Sequence, residues 1–401
     1  MMKLSHNKSD NSKNILIGIS GGIAAYKIPF LVRILTKNGY NVKIIITDDA
    51  KNLVGISALQ TLSKNPVFTD IASEHFDMGH IRLEEWADLF ILAPATANSI
   101  AKMAHGIADN LLSTTFLSLT CPIIVAPAMN TAMWENPATK VNVNLLKERG
   151  IIVLPTAFGE LACGQIGDGR MIEPSDIAEY ITLVLENKEL LGKLAGKKVL
   201  IASGPTTEKI DEVRAITNNS SGKMGAALAR AAIFAGAKVV VVSGKVNEKL
   251  PAGCEKIIGV ETALQMRQKM LEELSDADFV IMAAAVSDFR VENLADGKIS
   301  REDNENLAIN LVKNPDIAKE IGEKKRTEQK LVVFSLETDG KVERATEKMK
   351  RKNADLCVLN TAKSAIGTEK SEITIIKEDE IWEFDEQEKI ISAGKILEKL
   401  I

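Results

Sequence analysis

Short apolar runs alternate with stretches of helical spacing, and this pattern starts twice along the chain. Residues 14–19 (NILIGI) form an apolar run that ends in Ser20-Gly21-Gly22. Residues 23–37 then carry apolar side chains at Ile23, Ile28, Leu31, Ile34 and Leu35, the spacing of one helix face, and stop at Asn38-Gly39. Residues 41–47 (NVKIIIT) read as the next strand. The pattern restarts at 198–203 (KVLIAS), followed by a glycine-containing turn at 220–223. An alanine-rich helix over 224–235 is stopped by Gly236, and 238–243 (KVVVVS) is a strand. Short, wholly apolar strands between helices predict two mostly parallel sheets covered on both faces, an α/β protein of two doubly wound domains.

Further strands are predicted at 89–93, 123–126 and 151–154 in the first half. Each is followed by a proline or small-residue loop: Pro94-Ala95-Thr96, Pro127-Ala128-Met129-Asn130 and Pro155-Thr156. In the second half they fall at 279–283, 331–335 and 356–359, before a hairpin over 372–376 and 381–384 and a terminal helix. The charged, glycine-punctuated stretch 185–197 marks the seam. This gives a polar tail over 1–13, a domain over 14–190 and a second over 191–401. Loops at the carboxyl ends of parallel strands form the ligand crevice of such sheets, so the chemistry is sought there.

Composition narrows the classes. The 401 residues are 45 % hydrophobic and 26 % charged, enough for two cores. No apolar stretch approaches the roughly 18–20 residues of a membrane span, and the polar first fourteen residues lack the apolar core of a secretion signal. Fifty Lys+Arg against fifty-four Asp+Glu give a net charge of −4, so bulk charge recruits no nucleic acid. Four dispersed cysteines without C-x-x-C point to a cytoplasmic protein with neither disulfide framework nor zinc.

The loop at residues 17–25 places Ser20 where a dinucleotide fingerprint needs its second glycine. A Ser hydroxyl beside free N–H groups at a helix start suits a terminal phosphomonoester such as that of FMN; the alternative is a tight turn binding nothing. The loop 218–225 (NNSSGKMG) resembles a P-loop, but Thr217 stands where Walker A needs glycine and Met224 where it needs Ser or Thr. A phosphate nest stays open there.

Three segments of the first half are more specific. Met78-Gly79-His80-Ile81-Arg82-Leu83 carries one of four histidines. Pro127-Ala128-Met129-Asn130-Thr131-Ala132-Met133-Trp134 follows a strand directly. A glycine-rich stretch over 159–171 has Cys163 at its middle and reads as a mobile flap. Taken singly, each has a structural reading: a packed histidine, core filler, a loose loop.

Together these motifs resemble the flavin-dependent cysteine decarboxylase family: a His in H-I-x-L, then P-A-M-N-x-x-M-W, then a cysteine flap A-C-G-x-x-G-x-G-R-M. The second half, through Gly204-Pro205-Thr206-Thr207-Glu208, Ile216-Thr217-Asn218, Ser220-Ser221-Gly222-Lys223-Met224-Gly225 and Val312-Lys313-Asn314-Pro315-Asp316-Ile317, is similar to phosphopantothenoylcysteine synthetases. Nearly the full length thus resembles the bifunctional phosphopantothenoylcysteine decarboxylase / phosphopantothenate–cysteine ligase family of coenzyme A synthesis.

That resemblance implies an FMN-dependent decarboxylase and a CTP- and Mg²⁺-dependent ligase acting on 4′-phosphopantothenate and cysteine. His80 would be the base or positioning residue, Asn130 the carboxylate holder and Cys163 the proton donor. FMN would lie against Ser20, Gly21, Gly22, Ile23, Ala24, Thr47, Thr96, Ala97, Asn98, Ser99 and Ala128. In the ligase half, Asn218 matches the acyl-cytidylate asparagine, Lys298 the nucleotide-site lysine and Asp288 the metal or nucleotide ligand. Met282, Ala283, Ala284, Pro315, Asp316, Ile317, Ala318, Phe334, Lys348 and Lys352 complete the CTP pocket. Ser300, in place of a basic residue, and Ser335-Leu336-Glu337-Thr338, in place of an alanine-rich run, depart from the pattern. The resemblance further implies a homo-oligomer in which threefold and twofold contacts close into a dodecamer. Two other readings are a phosphatase-inhibiting subunit, which would carry a long acidic tail, and a peptidyl-cysteine decarboxylase, which would have no use for a ligase half.

Overall fold

The structure is a computed structural model that describes residues 13–70, 79–246, 248–294, 297–299, 307–337, 341–361, 368–378 and 380–401. Residues 1–12 of the expected tail, Ser300 and Thr338 lie outside the described residues. The chain divides into two compact units, Met1–Ile181 and Thr182–Ile401. This division falls earlier than the seam expected from composition, inside the helix Pro174–Glu186. The stretch after that helix is held by the C-terminal helix Lys389–Leu400: Asn187 Nδ2 donates to Glu398 Oε1 at 3.0 Å.

The first unit is built on β1 (Asn14–Ile19), β2 (Asn41–Ile46), β3 (Val67–Phe68), β4 (Leu89–Ala95), β5 (Ile123–Pro127) and β6 (Ile152–Val153). They are all parallel, in the order β3-β2-β1-β4-β5-β6. This is the doubly wound order, with its switch point between β1 and β4. β4 is buried along its whole length and β1 from Ile15 onward, which is why neither alternates polar with apolar. The single helix expected over 23–37 is a 3₁₀ turn, Ile23–Lys27, leading into an α-helix, Ile28–Lys37. Pro29 explains the change, because its missing N–H is tolerated only in the first helical turn.

The glycine-rich stretch expected to be a mobile flap is regular. It forms an antiparallel ribbon of β7 (Thr156–Glu160) and β8 (Ile166–Met171).

In the second unit, β9 (Lys198–Ser203) leads into a small ribbon of β10 (Thr207–Lys209) and β11 (Ala215–Thr217). The sheet continues with β12 (Lys238–Ser243), β13 (Lys256–Gly259) and β14 (Phe279–Met282). A second ribbon pairs β15 (Phe289–Val291) with β16 (Leu311–Lys313). Then follow β17 (Lys330–Glu337), β18 (Leu356–Thr361), β19 (Lys370–Lys377) and β20 (Glu380–Glu388). The main sheet has the order β13-β12-β9-β14-β17-β18-β19-β20. It is parallel up to β18, and the closing hairpin adds β19 and β20 antiparallel at one edge. Both ribbons escape sequence reading, since three-residue strands show no usable period.

The helix Lys223–Phe234 packs against β9, and its small residues allow a very close approach. A Cβ at Gly225 would stand 2.1 Å from Ser203 Oγ and 2.6 Å from Ser203 Cβ. Helix propensity alone makes Gly225→Ala stabilising by about 1 kcal/mol. Overpacking of this contact reverses the sign, so thermal unfolding of Gly225→Ala will show a loss of about 1–3 kcal/mol. Adding Ser203→Ala will recover only part of it, because the Cβ contact remains.

Candidate functional site

At the switch point of each sheet, the loops leaving two neighbouring strands are tied by a buried hydroxyl. After β1, Ser20 N–H and Oγ both donate to the Pro94 carbonyl, at 3.4 and 2.6 Å, and Ser20 Oγ accepts the Thr96 N–H at 3.1 Å. After β9, Thr206 N–H donates to the Ala285 carbonyl at 3.3 Å, and Thr206 Oγ1 accepts the Ser287 N–H at 2.9 Å. The two arrangements share one spacing, carbonyl at one residue and N–H two residues later. The Ser20 hydroxyl, which also lines the first crevice, makes its hydrogen bonds within the chain.

The first crevice opens into a cavity of about 720 Å³ lined by residues 20–24, Thr47, residues 96–99, Ala128, Asn130 and Cys163. Thr96 caps the helix Ala97–His105, accepting the Ser99 N–H at 3.2 Å. The N–H groups of Ala97 and Asn98 open that helix without intrahelical partners, a ready anion site. Thr47 Oγ1 is buried and, among the described residues, has no hydrogen-bond partner. Lys27 is buried at the cavity wall and paired with Glu173 Oε1 at 2.8 Å, which Arg170 Nη2 also reaches at 2.8 Å. Burial alone would raise the Glu173 carboxyl, but the Lys27 hydrogen bond and the two cationic charges outweigh it and hold it below the usual range. Lys102, also on the wall, is paired with Asp109 at 2.6 Å. The ion pair Lys27–Glu173 had no signal in the sequence, because its partners lie 146 positions apart along the chain.

Asn130 begins the short helix Thr131–Glu135, and its Oδ1 accepts the Met133 N–H at 2.8 Å. With the carbonyl oxygen engaged as a cap, the remaining side-chain group is the NH₂ donor, which suits a carboxylate. The β7–β8 ribbon lies directly on this segment. Met129 N–H donates to the Gly169 carbonyl at 2.9 Å, and Thr131 Oγ1 donates to the Asp168 carbonyl at 2.8 Å. The glycines of the ribbon therefore mark contact: a Cβ at Gly167 would meet Thr131 Oγ1 at 2.3 Å, and one at Gly169 the Met129 carbonyl oxygen at 2.5 Å. Cys163 sits exposed in the turn at the ribbon's tip, where Leu161 N–H donates to the Gln165 carbonyl at 2.8 Å. His80 is placed by its backbone in the first turn of the helix Gly79–Trp86; its side chain lies outside the described residues.

In the second unit the predicted residues other than Lys298 lie around the carboxyl ends of β14 and β17. Met282 ends β14, with Ala283 and Ala284 next, and Asn218 Nδ2 donates to the Ala285 carbonyl at 3.1 Å. Asp288 is exposed. Its carbonyl accepts the Asn314 N–H at 2.8 Å, and the Asn314 side chain donates to Ser287, joining this loop to Pro315. Asp316 caps the helix Ile317–Lys324, which begins Ile317-Ala318, and accepts from Lys352 at 2.9 Å. Phe334 lies on β17, and beside it Lys348 donates to the buried Ser335 Oγ at 3.4 Å. Burial first, and the Lys352 charge second, lower the Lys348 pKa. Lys298 is exposed and stands next to Ile299, which is bound at the turn of the β10–β11 ribbon, the end away from Asn218. Lys223 of the P-loop-like segment is paired with Glu369, so it is not a free phosphate ligand. Among the described residues no three His, Cys, Asp or Glu side chains cluster as a metal cage, and no helix is long and apolar enough to cross a membrane.

Two doubly wound sheets, one with an N–H cradle and an amide–thiol pair at a deep cavity, define a two-domain α/β flavoprotein. Residues 3–186 match the Flavoprotein family model, and residues 194–401 match that of the DNA/pantothenate metabolism flavoprotein C-terminal domain. The chain is 42 % identical over 374 residues to the coenzyme A biosynthesis bifunctional protein CoaBC of Bacillus subtilis (strain 168), covering 92 % of this chain and 91 % of that protein. Identity to the CoaBC protein of Borreliella burgdorferi is 38 %, over 98 % of this chain and all of that one. A crystal structure of the C-terminal domain of a CoaBC protein is similar at 35 % identity, covering 52 % of this chain and 95 % of that chain with a TM-score of 0.45. The chain belongs to the family of bifunctional coenzyme A biosynthesis proteins.

Gly169 and Gly164 separate close approach from backbone strain. Both have positive φ, +113° and +80°, but nothing lies within 4 Å of a Cβ at Gly164. Gly164→Ala will lose only the strain, about 1 kcal/mol. Gly169→Ala adds the clash and will lose about 1–3 kcal/mol more, read as the difference in unfolding midpoint between the two variants.

Proposed function

We propose that the chain carries out two consecutive steps of coenzyme A biosynthesis in the cytoplasm: CTP-dependent joining of 4′-phosphopantothenate to cysteine, then FMN-dependent decarboxylation of the product to 4′-phosphopantetheine. One observation carries this reading most. The Asn130 amide and the Cys163 thiol face one cavity that also holds an N–H phosphate cradle.

In the first unit the residues fit a mononucleotide flavin. The N–H groups of Ala97 and Asn98 suit its single phosphate, and the unpartnered Thr47 Oγ1 is a polar atom awaiting a ligand. FMN supplies the two-electron oxidation that turns the thiol-bearing carbon into a thioaldehyde, so that the carboxylate can leave, and it returns those electrons afterwards. The chain does the rest. Asn130 NH₂ holds the departing carboxylate, His80 accepts or steers the thiol-side proton, and Cys163, at the tip of a docked ribbon, protonates the carbon of the ene-thiolate product.

In the second unit, the carboxylate of phosphopantothenate attacks the α-phosphorus of CTP and expels pyrophosphate, giving an acyl-cytidylate. The cysteine amine then attacks that acyl carbon and CMP leaves. Lys298, Lys348 and Lys352 offset the gathering negative charge, and Asn218 steadies the mixed anhydride. Asp288 is the carboxylate that would hold Mg²⁺, which would help neutralise the nucleotide phosphates. Ile23, Tyr26 and Phe30 form an exposed apolar stripe, and Ile23 and Tyr26 also line the first cavity. This supports a homo-oligomer, with a dodecamer as its closed form, whose neighbouring copy completes the flavin site.

Incubation with 4′-phosphopantothenate, cysteine, CTP and Mg²⁺, with pyrophosphate and carbon dioxide read separately, tests the proposal. Absence of either product from flavin-loaded protein would remove the corresponding step. His80→Asn will abolish carbon dioxide release while pyrophosphate release continues. Cys163→Ser will still release carbon dioxide in the first turnover, because a serine hydroxyl fails only at the later proton donation. Its product will be two hydrogens lighter than phosphopantetheine by mass spectrometry; mainly phosphopantetheine would refute the proton-donor role.

A further inference from the structure

Buried carboxylates ordinarily pair with a cation. The Asp211 side chain is fully buried, and the guanidinium nearest it, Arg214 Nη1, stands 3.5 Å away. Besides this ion pair, three main-chain groups satisfy it. Oδ1 accepts the N–H groups of Val213 at 2.8 Å and Arg214 at 2.6 Å, and Oδ2 accepts the Ile299 N–H at 3.2 Å. Arg214 completes the arrangement. Its carbonyl accepts the N–H groups of Ile210 and Asp211, and its Nη2 donates to the Ile299 carbonyl at 3.2 Å. Both backbone groups of Ile299, 88 positions along the chain from Asp211, are thus held by the turn between β10 and β11.

The local turn does not require a carboxylate. An Asn accepts the same two N–H bonds through its single carbonyl oxygen. Only a two-oxygen acceptor can take the local N–H groups on one atom and a distant N–H on the other. Burial would raise this carboxyl, but the three N–H donors and the Arg214 charge outweigh it and hold it below the usual range, so the second oxygen stays an acceptor. The residue before Ile299 is Lys298, whose exposed side chain leaves the backbone beside this fixed point.

We propose that Asp211 is a positioning residue of the ligase reaction, acting through the backbone of Ile299 to fix the root of Lys298. The proposal rests on the reading of Lys298 as the nucleotide-site lysine. Fixing the root leaves the long side chain free to follow the phosphates, while the ammonium searches a small volume instead of a wide one.

Asp211→Asn in the full chain keeps the local turn but sets an NH₂ donor against the Ile299 N–H. The turnover number for pyrophosphate release will fall by about 100-fold, with the KM for cysteine little changed and the chain still folded at the assay temperature. In a Lys298→Ala background the same substitution will have no further effect. Ile299→Pro, which deletes the distant N–H and leaves Asp211 and its turn intact, will reproduce the loss and serves as the reading if Asp211→Asn does not fold. Full turnover in Asp211→Asn or in Ile299→Pro, or equal losses from Asp211→Asn with and without Lys298, would overturn the inference alone. Full activity of Lys298→Ala would overturn the reading beneath it as well.

Discussion

Each crevice depends on a hydroxyl that holds two loops at one separation. Where a parallel sheet switches direction, neighbouring strands send their chains to opposite faces, and beyond the last ladder bond few main-chain bonds join them. Ser20 in one unit and Thr206 in the other add a side-chain tie to the few backbone bonds that continue there, with backbone donors and acceptors placed alike. A hydroxyl suits the task because it can donate once and accept twice within the width of one residue. The cradle beside Thr96 and the Asn218–Ala285 contact are both built outward from these ties.

Around the crevices, several basic side chains are already paired. Lys27 and Arg170 share Glu173, Lys102 holds Asp109, Lys223 holds Glu369, and Lys352 holds Asp316. An arriving anion therefore meets neutral amides and N–H groups first, and cations that have to exchange partners. The pairing keeps long side chains from sweeping the cavity before a ligand is present.

The alternation of apolar runs and helices was legible as two doubly wound sheets, since strands such as β1 and β4 are apolar wherever both faces are covered. The segment around Asn130 stood out because it directly follows the apolar strand β5. Three things were not legible. The β10–β11 and β15–β16 ribbons are too short to show a period. The close packing of Gly167 and Gly169 on residues 129–131 was hidden, because nothing in a sequence separates a glycine that bends from one that lets another backbone approach. Asp211 sits in a polar stretch that reads as an ordinary turn, and its partner at Ile299 is visible only once the chain has folded back.

Asn130 has a consequence for how such a site persists. Its carbonyl oxygen caps a helix through Met133, which fixes the amide against flipping before any substrate arrives. An aspartate at this position would cap as well, yet would present a negative charge where the proposed reaction brings a carboxylate. Stability is blind to that exchange and the chemistry is not. At this one residue the pressures that keep the protein folded and those of the proposed chemistry come apart, so the choice between amide and carboxylate is not made by the cap.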